Sequence, residues 1–122
     1  MGDRVDIWQF RTDSGHTADT DLVGFHVEAT DGPIGKIHKL SEDAGTQFLV
    51  VDTGPWIFGK LVLLPAVTVS RIEPDERKVH LDRTKEEIKN GPDYDEHTHE
   101  ADTGYRDRYA LYYDPYYGMP LK

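Results

Sequence analysis

A small, mostly β domain is the fold class this sequence predicts, and three features predict it. Between Leu22 and Pro92 the apolar residues fall into about six short runs, spaced roughly 8–12 residues apart. Several runs alternate apolar with polar side chains, as a strand with one buried face does. Gly, Pro, Asp and Asn punctuate the runs where tight turns need them. The pattern belongs to a small sandwich or barrel, and barrel closure removes exposed strand edges. The expected architecture is a six-stranded β-barrel with a short helix after the last strand and partly helical or irregular terminal arms.

Each element has its own warrant. Val5 to Phe10 is a strand or a first helical turn anchored by Val5, Ile7 and Trp8 or Phe10, and Arg11 to Asp21 is a polar loop. Val23, Phe25 and Val27 alternate with Gly24, His26 and Glu28, which predicts a first strand over Val23–Thr30. Asp31-Gly32 supplies the hairpin turn, and a second strand runs from Ile34 to Leu40. Ser41 to Thr46 turns, and Gln47 to Thr53 is β-branched and apolar enough to be a central strand. Gly54-Pro55 breaks it, Trp56-Ile57-Phe58 is a short apolar loop, and Gly59-Lys60 turns again. Leu61 to Leu64 forms a core strand that Pro65 ends. Val67, Val69 and Ile72 mark the next strand, with a phase change that predicts a bulge between Val69 and Ile72. Pro74-Asp75-Glu76 turns the chain into a last strand, where Val79 and Leu81 alternate with Lys78, His80 and Asp82. Thr84 with Glu87 three residues on is a capping box, and Asn90-Gly91-Pro92 stops the short helix it starts.

Charge divides the chain in the same way. Leu22–Pro92 carries 11 acidic and 9 basic residues, against 5 and 2 before it and 7 and 3 after it. This predicts an N-terminal arm (1–21), a folded domain (22–94) and a Tyr-rich acidic arm (95–122). The net charge of −9 opposes nucleic-acid binding, which draws its affinity from Lys and Arg on phosphates. The same sign weakens adsorption to anionic lipid. No run reaches the ~20 apolar residues of a membrane span, and the start of the chain lacks a signal-peptide pattern. The chain has no cysteine, which removes disulfides, thiolate metal sites and Cys nucleophiles. These features predict a cytoplasmic protein without direct membrane insertion.

All seven tyrosines lie from Tyr94 onward. Tyr105, Tyr109, Tyr112, Tyr113 and Tyr116 share one helical face, and Asp114-Pro115 is expected to end that helix. Such a stripe packs on its own domain, on a second copy, or on another protein.

From Gly24 to Tyr94 the sequence resembles the PRC-barrel family, and the stand-alone bacterial members in particular. The family also supplies the cytoplasmic domain of the photosynthetic reaction-centre H subunit and the C-terminal domain of a ribosome maturation factor. The resemblance is carried by Gly24-x-x-Val27, Asp31-Gly32-x-Ile34-Gly35-Lys36-Ile37 and Phe48-Leu49-Val50-Val51. It continues through Gly59-Lys60-x-Val62-Leu63-Leu64-Pro65, Ile72, Val79-x-Leu81, Thr84–Ile88 and Pro92-x-Tyr94. It implies a six-stranded barrel serving assembly or docking, and it carries no catalytic residues.

Other chemistry is sparse. His97 and His99, among Asp95, Glu96 and Glu100, are weak candidate metal ligands, imidazole and carboxylate being zinc-type donors. His26, His38 and His80 take polar phases in strands and belong on the surface. The three serines sit in no G-x-S-x-G elbow, and no phosphate loop is present. The functional expectation is a non-catalytic, cofactor-free protein-association module, self-associating as a homodimer. Its candidate contact residues are Trp56, Ile57, Phe58, Tyr105, Tyr109, Tyr112 and Tyr113. The alternatives are a metal-binding protein or metal-assisted hydrolase using His97 and His99 and, by family analogy alone, an accessory of membrane electron-transport complexes.

Overall fold

The computed structural model describes residues 7–17, 20–43, 46–54, 60–92, 94 and 104–117. Six strands form one mixed sheet: β1 (His26–Ala29), β2 (Gly32–Asp43), β3 (Thr46–Asp52), β4 (Leu61–Pro65), β5 (Val69–Glu73) and β6 (Lys78–Leu81). The spatial order is β4-β3-β2-β1-β6-β5. Every neighbouring pair is antiparallel except β1 and β6, which run parallel with Val27 beside Val79. The edge strands β4 and β5 are not hydrogen-bonded to each other, so the sheet is open. They are consecutive in the chain, joined only by a 3₁₀ turn over Ala66–Thr68 whose three residues are all buried.

The strands form where alternation and β-branching place them. Val27, Ile37, Val51 and Val62 meet as neighbours across the sheet or within its core. At ~1.5–3 kcal/mol for each fully buried aliphatic side chain, this cluster supplies the main drive to fold. Pro65 closes β4, and the Thr68 hydroxyl donates to the Pro65 carbonyl at 2.8 Å, satisfying a buried polar group inside the corner. The bulge in β5 lies between Val69 and Arg71, within the segment where the apolar phase shifts.

The first strand departs from its expected span. It begins at His26, because Gly24 takes φ +91° and breaks the alternation two residues earlier. Val23 is therefore exposed, and Leu22 enters the core in its place. The turn expected over Ser41–Thr46 is largely strand, with β2 and β3 pairing out to Asp43 and Thr46.

Helix α1 (Lys85–Lys89) follows β6 and carries the capping box in full. The Thr84 hydroxyl accepts from the Glu87 amide at 3.1 Å, and the Glu87 carboxylate accepts from the Thr84 amide at 2.9 Å. Helix α2 (Tyr105–Tyr113) runs into a 3₁₀ turn over Asp114–Tyr117. The α-helix ends at Tyr113, just before Asp114-Pro115 as expected, and Pro115 is accommodated in the 3₁₀ turn, where its missing N–H has no partner to lose. Both arms contribute to the one hydrophobic cluster, through Ile7 and Trp8 at one end and Tyr109 and Tyr113 at the other.

Candidate interaction surface

The tyrosines of α2 divide between two jobs. Tyr109 and Tyr113 are each only 1% exposed. Tyr109 packs edge-on to Trp8 at 6.4 Å, and Trp8 in turn packs edge-on to Phe48 of β3 at 6.2 Å. Tyrosine hydroxyl groups fix the helix. Tyr109 donates to the Pro92 carbonyl at 3.3 Å, and Tyr112 donates to the Glu87 carbonyl, in the last turn of α1, at 2.6 Å. Tyr117 donates to the Asp82 carboxylate at 2.6 Å. The two buried stripe residues thus pack on the chain's own core, which leaves them no surface for another molecule.

The opposite face of α2 points outward. Leu111 is 80% exposed, and Tyr116, in the 3₁₀ turn that follows, 38%. Arg108 and Pro115 are exposed beside them at helical spacings. Tyr112 lies between the two faces, half-buried, its ring edge-on to Tyr113 at 4.9 Å and to Tyr116 at 5.7 Å. Burial, then its Tyr116 neighbour and the Glu87 charge, pushes the Tyr112 phenol up to about 12. Burial also pushes Tyr113 up, and burial with the Asp82 carboxylate does so for Tyr117.

Asp82 sits just after β6 and gathers partners from both arms. It pairs with the Arg11 guanidinium and accepts from Tyr117 and, at 3.4 Å, from Arg83. The Arg83 guanidinium lies 4.5 Å from the Tyr116 ring centre and 5.2 Å from that of Tyr117, a cation–π geometry. Sequence reasoning placed Asp82 simply on the polar phase of its strand. The Asp82-Arg83 pair next to a predicted helix start was the available signal, but its partners are 71 and 35 residues away in sequence.

Elsewhere the surface is ordinary. A shallow pocket of about 380 Å³ opens where β1, β2 and β3 meet, with buried Ile34 and Thr53 beneath exposed His26, Lys36 and Asp52. On β5 and β6, His80 donates to Glu73 at 3.0 Å. That bond, helped by the Arg71 and Lys78 charges, holds the Glu73 carboxyl below its ordinary range. His26 and His38 are exposed and His80 is half-buried on its strand. Among the described residues no group of three His, Asp or Glu could hold a metal ion. His97 and His99 lie outside the described residues, as do Trp56, Ile57 and Phe58. Tyr105 opens α2, but its side chain is likewise outside them. No helix among them is long and apolar enough to cross a membrane. A scan against protein-family models and a search of curated proteins returned no match.

Proposed function

We propose that this chain is a non-catalytic protein-association module that pairs with a second copy of itself through the outer face of α2. The observation that carries the reading is Leu111, 80% exposed on a helix whose other face is locked into the core. Leu111 offers apolar area on a rigid support, and Tyr116, five residues on, and exposed Arg108 are of the residue types enriched at interfaces. Rigidity matters because little conformational entropy remains to be lost on docking. A two-fold pairing would bury Leu111 and Tyr116 from both copies in one patch.

The scaffold of this module is read as a PRC-type barrel. Support comes from the Gly24–Tyr94 residue pattern and from edge strands separated by a single three-residue turn. Cysteine-free composition supports a cytoplasmic setting, and the charge of −9 supports a protein over a nucleic-acid partner.

Sedimentation velocity of the full chain over a range of concentrations tests the reading. The expected result is a concentration-dependent dimer that Leu111→Glu abolishes, with the melting temperature unchanged at concentrations where the parent is monomeric. A chain that stays monomeric throughout, or a variant that dimerises like the parent, removes self-association through this face.

A further inference from the structure

We propose that the two terminal arms form a single strap that docks and releases as one unit, with the Asp82 carboxylate as their shared latch. The N-terminal segment over 7–17 has no strand or helix of its own. It is held by carbonyl contacts to the body. The Val67 amide donates to Ile7 at 3.1 Å, Gln47 to Trp8 at 2.8 Å and Ile72 to Ser14 at 2.8 Å. Helix α2 has nine residues, below the length at which an isolated helix holds in water. Each arm is therefore ordered by what it touches, and each touches the other.

Direct contacts join them. Trp8 meets Tyr109 edge-on, the Arg106 guanidinium lies 5.9 Å from the Trp8 ring centre, and the Arg11 guanidinium lies 5.7 Å from that of Tyr117. An indirect contact runs through Asp82. Asp82 binds Arg11 of one arm and Tyr117 of the other on its two oxygens. Arg11 is also held by its Nε donation to the Val67 carbonyl at 3.0 Å. Losing either arm leaves a half-buried carboxylate with fewer donors and strips a packing wall from the remaining arm, so release of one favours release of the other. Release uncovers Phe48 and the Gly91–Pro92 segment, against which Trp8 and the tyrosines lie. A molecule that grips one end of the chain thereby acts on the other end.

Amide hydrogen exchange of the full chain, followed residue by residue by NMR, tests the strap. Tyr117→Phe removes one hydroxyl from the C-terminal arm only. Exchange is expected to quicken about fivefold at Tyr112 and Tyr113 and, by the same factor, at Gln47, Val67 and Ile72, the donors to the other arm. Arg11→Gln is the reciprocal change and is expected to quicken Tyr112 and Tyr113 equally, since linkage is symmetric. Val50, in the body of β3, should keep its protection in both. Acceleration confined to the altered arm overturns the proposal, and so does a uniform loss that includes Val50, which would mark global unfolding. Asp82→Asn, which keeps the shape and removes the charge, is expected to quicken both arms together, and quickening in one alone also counts against it.

Discussion

At the scale of single residues, two glycines with positive φ separate the cost of space from the cost of conformation. Gly35 has φ +151°, and a methyl group there would sit 2.0 Å from the Asp52 carbonyl oxygen on the neighbouring strand. That contact is backbone, so relief requires β2 and β3 to part. Gly35→Ala is expected to cost about 3 kcal/mol, the upper end of overpacking penalties. Gly54 has φ +57° and, among the described residues, nothing within 4 Å of the same position. Gly54→Ala meets only the left-handed backbone penalty, about 1 kcal/mol. Urea midpoints at constant slope measure both, and equal midpoints for the two variants would refute the distinction. The sequence marked Gly54 as a strand break and placed Gly35 inside a strand, and the close approach at Gly35 depends on the β2–β3 register, which a single sequence does not display.

At the scale of elements, the helices show what local pattern can and cannot reveal. The capping box was legible because Thr84 and Glu87 satisfy each other within one turn. Thr84→Ala is expected to lower stability by about 1 kcal/mol, read from the thermal midpoint. Loosening α1 also moves the Glu87 carbonyl that receives Tyr112, so the same variant should quicken amide exchange at Tyr112. A stability loss without any change at Tyr112 would separate the two helices. The tyrosine stripe of α2 was equally legible as a helical face. Its division into an inner pair and an outer rim was not, because burial depends on the body that α2 meets. The strand spans followed alternation except at Gly24, where one positive φ moved Leu22 inward and Val23 outward, and over Ser41–Thr46, where pairing of β2 with β3 carries the ladder through an expected turn. The parallel pairing of β1 with β6 joins strands about fifty residues apart, and alternation, which reports a face, carries no information on the neighbour.

At the scale of the whole molecule, the C-terminal tyrosines tie stability to alkaline pH. An unfolded tyrosine ionises near 10. In the folded chain Tyr112 is raised to about 12, and Tyr113 and Tyr117 are raised as well, burial being the first cause in each. An acid whose folded value is raised favours the folded state while it stays protonated. That contribution is complete below about 10 and is lost as pH climbs toward the folded values, because the unfolded state then binds fewer protons. The chain is therefore expected to keep its stability up to about pH 10 and to lose it steeply above, with the arm's side chains setting the slope. Tyrosinate absorbance should rise for these residues only together with loss of tertiary structure. Replacing Tyr112 and Tyr117 by Phe removes two of the three groups and should flatten the alkaline limb while lowering stability at neutral pH, where their hydroxyl bonds to Glu87 and Asp82 are lost. Early ionisation of all the tyrosines in a still-folded chain would mean that the arm does not bury them in solution. The strap would then lose its footing too, because the carboxylate latch needs a protonated Tyr117 to donate to it.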